Sequence, residues 1–378
     1  MSRRSRYHLG RRELGVSKLV ASLAACALAF LPQFSPAASN KASGSTFPGM
    51  HWDQVRKPED AGWSSDKLAV AKKYAASLNT AAVVIVDDGI IVDQWGATDR
   101  KFNVHSIRKS FLSALYGIAV AKGEIKLTST LQDLGIDDNE PSLTPVEKQA
   151  RVIDLLKARS GIYHPALYES PGSKARKPVR GSHPPRSFWY YNNWDFNALG
   201  TIYEHQTGSS LFQSFAQKIA EPLQMQDFES ADTEYVRGPD SVHPAYPFRM
   251  TARDMARFGL LYLRKGAWRG RQIVPQSWVR DSTMSYSVAE GDAHYGYSGY
   301  GYLWWVAVNG NHFPNVELPD GTFSGWGSGG HFIVVVPDMN VVVVHRVDTD
   351  IDGKEVSLAD FGALLGLILD AKETRHAR

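Results

Sequence analysis

The sequence predicts an α+β fold: an antiparallel β-sheet flanked by N- and C-terminal helices, joined to a mostly helical lobe. Three observations carry this. Strand patterns gather at 81–95 and again between 300 and 347 of the 378-residue chain. The middle reads as helices and loops. An apolar stretch from Ser357 to Lys372 closes the chain as a helix. Strands and helices that run in separate blocks point to segregated layers, not to alternating βαβ units. No Pro/Ser-rich linker or repeat divides the chain. One domain is therefore expected over 63–372, with an α/β lobe (63–105 and 295–372) and a helical lobe (106–294).

Ser64 reads as the cap of a helix from Lys67 to Leu78. Residues 81–95 read as a hairpin, with Asp87-Asp88-Gly89 as its turn. A buried helix follows around Ser106 and ends near Lys122-Gly123. Leu127 to Pro141 resembles a short helix and loop, with Asp133 and 137–140 in solvent. Pro145 to Arg159 is expected as a helix that Ser160-Gly161 stops. Tyr163 to Ser187 is a long loop rich in Pro, Gly, Arg and His, a length often tied to function. Phe188 to Gly200 is an aromatic cluster entering a helix. Leu211 to Pro222 is helical, and 235–248 is loop. Thr251 caps a helix with Met255, Phe258, Leu261 and Tyr262 on its apolar side, and a helix around Ser277 follows. Strands are expected at 300–308, 322–326, 331–336 and 341–347, the last two joined by a turn at 337–340.

The N-terminus has the layout of an export signal. Six Lys/Arg residues precede an apolar run from Leu19 to Leu31, and Ser35-Pro36-Ala37 offers small residues for cleavage. The run is too short for a comfortable membrane span. Residues 1–37 are thus expected to be a signal peptide and 38–62 a mobile leader, in a periplasmic or secreted protein. Leu23-Ala24-Ala25-Cys26 also fits a lipoprotein box, which makes Cys26 an alternative lipid anchor. The residues after it stay apolar, which favours cleavage near Ala37. Cleavage there removes six basic residues and Glu13 and takes the formal charge from +3 to −2. Such a near-neutral chain does not suggest nucleic-acid binding. Cys26 is the only cysteine, so the remaining domain has no disulfide, thiol nucleophile or Cys-type metal site. The twelve histidines show no His-x-x-x-His pattern with an acidic partner, so no metal is expected.

Chemistry concentrates at Ser106-Ile107-Arg108-Lys109. Residues three apart share a helix face, so the Lys109 amine can reach the Ser106 hydroxyl. A serine is a weak nucleophile until a base takes its proton, and a desolvated lysine can be that base at neutral pH. Ser-x-x-Lys alone is a weak signal, and Ser64-Ser65-Asp66-Lys67 repeats it at an ordinary helix cap. Two further segments give it weight: Phe188-Trp189-Tyr190-Tyr191-Asn192-Asn193-Trp194, and Gly325-Trp326-Gly327-Ser328-Gly329-Gly330-His331 before a strong strand. No serine has the Gly-x-Ser-x-Gly surroundings of an α/β-hydrolase elbow.

In order and spacing, the three segments resemble the serine β-lactamase and penicillin-binding protein superfamily. The resemblance is to the branch of class C β-lactamases, D-amino-acid-specific peptidases, esterases and nylon-oligomer hydrolases, and it runs from about Trp63 to about Leu369. The family's motifs are Ser-x-x-Lys, Tyr-x-Asn and Lys-Thr-Gly on the strand edging the site. The resemblance implies a β-lactamase/transpeptidase-like fold and no cofactor. It makes Ser106 the nucleophile, Lys109 its proton acceptor and Tyr191 the acid/base, its phenol lowered in pKa beside a lysine ammonium. Asn193 would position substrate and Lys109. Tyr190-x-Asn192 also fits the second motif, but the spacing to Leu199-Gly200 favours Tyr191-x-Asn193. The backbone N–H groups of Ser106 and Ser328 would form the oxyanion hole. Gly325, Trp326, Gly327 and His331 would line the cleft, with His331 equally readable as a surface histidine of an edge strand. His105 reads as structural, Arg253-Asp254 as a helix-anchoring pair, and Lys157 to Gly161 as a family turn.

The third motif lacks the family's cation, which moves weight toward esters and neutral amides. The expected activity is acyl-enzyme hydrolysis of a small ester, a neutral amide, a D-amino-acid peptide or a β-lactam. The alternative is a catalytically silent protein on the same fold that binds cell-wall peptides or β-lactams.

Overall fold

A computed structural model of the chain describes residues 46–289, 295 and 298–373. The export signal, Cys26, the cleavage near Ala37 and residues 38–45 of the leader lie outside the described residues. Among those described, no helix is long and apolar enough to cross a membrane.

The centre is an eight-stranded antiparallel sheet. Its strands are β1 (Thr80–Asp87), β2 (Ile90–Gly96), β3 (Ser287–Val288), β4 (Gly299–Tyr300), β5 (Trp305–Val306), β6 (Phe323–Gly327), β7 (His331–Val336) and β8 (Val341–Val347). Their spatial order is β2-β1-β8-β7-β6-β5-β4-β3. The first and last strands thus meet in the middle, where β1 pairs with β8 from Thr80–Val347 to Asp87–Val341. The β1–β2 turn uses left-handed backbone at Asp88 and Gly89. A Cβ on Gly89 would lie 2.0 Å from the Thr46 carbonyl oxygen, so only glycine fits there.

The helices are α1 (Ser65–Ala76), α2 (Arg108–Ala121), α3 (Val152–Leu156), α4 (Pro171–Arg176), α5 (Asn193–Thr207), α6 (Leu211–Phe215), α7 (Ala252–Leu263), α8 (Gln276–Ser282) and α9 (Leu358–Leu369). β7 and β8 are buried throughout, which explains their nearly unbroken valine runs. On one face, Gly259 of α7 lies so close to Val342 and Ile333 that an added Cβ would fall 2.5 Å from Val342. On the other, Phe361 of α9 stacks on Phe332 at 4.0 Å. Alternate residues of each strand therefore serve opposite layers.

Several local expectations are corrected. Residues 46–62 of the leader are tied down: Trp52 donates to the Arg253 carbonyl, Arg257 donates to those of Gly49 and Met50, and Gln54 bridges to Ile91. No helix forms in 127–141. The helix expected over 145–159 is only a short turn at Glu147–Gln149 and the five residues of α3, because Arg151 enters α3 in extended backbone. The loop expected at 235–248 contains a hairpin of Val236–Gly238 and Ser241–Ala245. The strand expected at 300–308 folds back on itself as β4 and β5, and Leu303 takes a left-handed conformation in between. The π-helical stretch Ala216–Ala220 continues α6. Ser64 caps α1 and Thr251 caps α7 through their side chains, as expected. Arg253 pairs with Asp227, and Asp254 accepts the backbone N–H groups of Gln226, Asp227 and Phe228.

Asp138 was expected in solvent and is buried instead. It accepts from Trp194 Nε1 and Ser241 Oγ, both at 2.6 Å, and from the Val242 N–H at 2.8 Å. Burial pushes this carboxyl up, but the hydrogen bonds outweigh burial and hold it below the usual carboxylate range. It joins the start of α5 to the 236–245 hairpin. Asp138→Ala orphans two buried donors and is expected to cost about 2–4 kcal/mol in denaturant unfolding. A carboxyl with a depressed folded pKa stabilises fully above its ordinary pKa of about 3.9. That contribution disappears as pH falls through the folded value, so the gap between wild type and Asp138→Ala should close in acid.

Candidate active site

Ser106 sits in a single 3₁₀ turn, His105–Ile107, that runs directly into α2. His105 enters the turn with φ of 47° and donates its N–H to Asn103 Oδ1. The first twelve residues of α2, Arg108 to Ala119, are all buried, so the helix is a fixed support. Lys109 Nζ lies 2.7 Å from Ser106 Oγ and 2.9 Å from Tyr191 Oη, and Lys109 is 1% exposed. Burial, reinforced by the charge of Arg108 and opposed by Glu169, pushes the amine well below its ordinary range. Burial also pushes the Tyr191 phenol up, against a hydrogen bond with Ser106 and the charge of Arg108. The expectation of a Tyr191 pKa lowered by a lysine ammonium is therefore reversed. Desolvation favours a neutral amine beside a neutral phenol.

Tyr191 is placed from two sides. The Tyr190 N–H donates to the Ala158 carbonyl, which fixes the strand-like approach to α5 on the 157–161 turn. That turn is held by Ser160 Oγ donating to Asp195 and by Asn192 Nδ2 donating to Ile162 O and Asp195. Burial raises Asp195 well above the carboxylate range. Asn192 also caps α5 by accepting the Trp194 N–H. Tyr190 turns away and donates to Ser173 O. Of the two Tyr-x-Asn registers, Tyr191-x-Asn193 is thus the one that meets Lys109. The Tyr191 ring stacks on Trp305 at 5.4 Å and packs against Phe196 at 4.9 Å.

Strand β6 forms the opposite wall. β5 pairs only with Phe323 and Ser324, which leaves Gly325 to Gly327 paired by named strands on the β7 side alone. A Cβ at Gly327 would fall 2.5 Å from the Val104 carbonyl oxygen. At Gly325 it would fall 3.2 Å from Ser110 Oγ. These two glycines let the strand lie directly on the Ser106 turn. Trp326 points to the other face, donates to Ser324 Oγ and stacks on Trp305 at 4.4 Å. Ser328 is exposed at the strand end.

A cavity of about 850 Å³ opens here. Ser106, Tyr191, Asn193, Trp326, Gly327 and Ser328 all border it. A family model described as Beta-lactamase matches residues 69–364. The chain belongs to the Beta-lactamase family. A candidate 6-aminohexanoate-dimer hydrolase from Bacillus anthracis is 21% identical, with a TM-score of 0.60 over 86% of each chain. A β-lactamase from Mycobacterium bovis is 19% identical, with a TM-score of 0.56 over 80% of this chain and 100% of the other. An uncharacterised protein of Alkalihalophilus pseudofirmus is 22% identical over 66% of this chain and 74% of its own length.

The three polar side chains expected in this Beta-lactamase-family site meet, and Asn193 lies on the cavity wall. Among the described residues, however, Asn193 makes no hydrogen bond to Lys109. His331 is corrected: it is fully buried in an inner strand, neither in the cleft nor on the surface. Its Nδ1 accepts from Arg346 Nε at 2.9 Å, and its Nε2 lies 3.2 Å from Thr349 Oγ1. Burial keeps its pKa well below the ordinary value. Arg346 also donates to the carbonyls of Met250, Phe102 and Asn103, so it anchors the chain entering the Ser106 turn. His105 bonds to Thr349 at 2.8 Å, consistent with a structural part, though it also borders the cavity. Of the tryptophans, Trp305 and Trp326 line the cavity, Trp189 packs behind Trp305, and Trp194 and Trp304 are core. Sequence reasoning missed Arg108 and Glu169. A charged residue on an otherwise apolar buried helix was the available signal for Arg108.

Gly327→Ala should press the strand off the Val104 carbonyl and shift Ser106. Overpacking of this kind costs about 1–3 kcal/mol, so the variant should remain folded by circular dichroism. Its Ser106 labelling by a fluorophosphonate should nevertheless fall by about tenfold or more, as expected when a reacting group is misplaced by a fraction of an ångström.

Proposed function

We propose that this member of the Beta-lactamase family is a serine hydrolase that cleaves a small ester or amide through an acyl-enzyme. The observation that carries the reading is the Lys109 amine, desolvated and within hydrogen-bond distance of both Ser106 Oγ and Tyr191 Oη. A neutral amine has a free lone pair for the serine proton, which an ammonium lacks.

As Ser106 Oγ bonds to the substrate carbonyl carbon, its proton passes to Lys109 Nζ. The carbonyl π electrons move onto oxygen, and the backbone N–H groups of Ser106 and Ser328 receive that charge. Donors fixed in advance are effective because they need no reorganisation as the charge develops. The tetrahedral centre then collapses. The bond to the leaving oxygen or nitrogen breaks, and that atom takes a proton relayed from Lys109 through Tyr191. Water attacks the acyl ester next and gives a proton to the Tyr191–Lys109 pair. The second collapse releases the acid and returns a proton to Ser106 Oγ. Tyr191, with its high pKa, acts as a relay and not as a standing phenolate. The Trp305–Trp326 wall supplies an apolar side for the substrate, and the cavity volume suits a small molecule.

Ser106→Ala, Lys109→Met and Tyr191→Phe should be compared on p-nitrophenyl acetate. The first two should lower kcat/KM by about 10⁴- to 10⁶-fold, as when members of a catalytic unit are removed singly. Tyr191→Phe should lose less with this leaving group, which needs little protonation, and more with an anilide. Mass spectrometry should place a fluorophosphonate adduct on Ser106. For the pH profile, burial lowers the Lys109 pKa, so the active neutral amine dominates above that value. The rate should fall as acid protonates the amine, with that fall lying well below the ordinary lysine range of about 10.4. A rate that climbs steadily to about pH 10 would mean an unperturbed lysine.

A further inference from the structure

The cavity holds a cation that the proposed chemistry does not use. Arg108 lies between Ser106 and Lys109 in sequence and borders the cavity, yet it is 1% exposed. Among the described residues its one hydrogen bond runs from Nη1 to the His105 carbonyl at 3.3 Å. Among the described residues Nε and Nη2 are buried with no hydrogen-bond partner, and no carboxylate pairs with the group. A buried guanidinium with two unmet donor groups is costly, and residues kept in that state are candidates for ligand recognition. Glu169 on the same cavity is different, because Lys177 meets its charge at 2.8 Å. His105 beside it is held neutral, its pKa lowered to about 4 by burial. The excess charge at this end of the cavity is therefore positive.

The guanidinium lies over two rings. Tyr246, 5.0 Å away, is core. Tyr168, 5.4 Å away, is 40% exposed and borders the cavity. Tyr168 has φ of 60°, a conformation that bulky residues rarely adopt, and its hydroxyl accepts from Asn103 Nδ2 at 2.7 Å. The ring covers the guanidinium on the cavity side. Position 325 offers no cation, and a Cβ there would already press on Ser110.

We propose that Arg108 is the substrate-carboxylate subsite of this protein, uncovered when the Tyr168 ring turns away, and that the preferred substrate is an ester or amide carrying a carboxylate. This rests on the serine-hydrolase reading above. Guanidinium is suited to the task because two N–H groups can meet one carboxylate side by side. Hydrolysis itself is unchanged: water adds across the scissile bond, and the recognised carboxylate stays intact.

The test uses matched pairs. Mono-p-nitrophenyl adipate against its methyl ester places the charge on the acyl side. The acetate of 3-hydroxy-4-nitrobenzoic acid against the acetate of its methyl ester places it on the leaving side. In at least one pair the anionic member should have kcat/KM about tenfold or more above its neutral twin, the scale of a charge-assisted hydrogen bond. Arg108→Met should erase that ratio through KM. If Arg108 acted only by tuning Lys109, both twins would change alike and the pH profile would move. Equal rates within both wild-type pairs overturn the proposal, whether or not the variant folds. A second readout does not need turnover: Ser106→Ala protein should bind monomethyl adipate more tightly than dimethyl adipate by calorimetry, and equal affinities overturn the subsite. Turnover of every ester that survives Ser106→Ala would instead overturn the serine-hydrolase reading and leave the binding comparison to judge Arg108.

Discussion

The site depends on one constraint: a lysine amine kept out of water. In water this group would be an ammonium, solvated and useless as a base. Here the surroundings make the charged form expensive. The amine sits 4.7 Å from the Tyr191 ring centre and 4.8 Å from that of Phe196, on a helix buried through its first three turns. Its hydrogen-bond neighbours are two hydroxyls, which do not demand a charge. The aromatic packing of 188–196 with Tyr295, Tyr300 and Trp305 thus sets the polarity in which Lys109 titrates.

Desolvation alone would leave the three groups free to drift, so their placement needs rigid polar ties. Arg346 spends three donors on backbone carbonyls around 102–103 and 250 and a fourth on His331. Burial lowers even this guanidinium, to about 9. On the opposite wall, Asp195 gathers Ser160 and Asn192, and Asp138 gathers Trp194 and Ser241. Buried polar groups of this kind tolerate little displacement, since each lost hydrogen bond strands a group in a medium that cannot replace it. Both clusters lie within a few residues of the groups they orient. They convert a large, otherwise adaptable apolar interior into one with a fixed geometry at the cavity.

The meeting of Ser106, Lys109 and Tyr191 was legible because each carries a local signature: helix spacing for the first two, and a Tyr-x-Asn step before a capped helix for the third. The inner strands were legible from valine runs. What stayed hidden depends on distant partners. His331 looks like an edge residue in sequence, and only the β7–β8 pairing buries it against Arg346. Asp138 sits among acidic neighbours that read as solvated, and its partners are 56 and 103 residues away. The sign of the Tyr191 shift was misread for a related reason. It follows from burial of the phenol itself, which no short segment encodes. Helix length in 145–159 and the fold-back at 300–306 failed at positions where tertiary packing overrides local propensity.

The glycines of β6 bear on how charge recognition can be distributed. Gly325 faces Ile107 and Ser110, and a Cβ there would sit 3.2 Å from Ser110 Oγ and 3.4 Å from Ile107 Cγ2, a tight contact. A longer side chain at this strand position would need Ser110 and Ile107 to give way, beside the Ser106 turn and the start of α2. Close approach of the strand to the Ser106 turn therefore leaves little space for a side chain at 325. On the other side of the same contact, α2 has room for a long side chain between Tyr168 and Tyr246, and an arginine fills it. The positive charge bordering the cavity thus comes from the helix and not from the strand. That arrangement brings the guanidinium close enough to Lys109 to help hold the amine neutral. In the proposed reaction one residue then serves both demands, since the charge that discourages protonation of Lys109 is the same charge that would attract an anionic substrate.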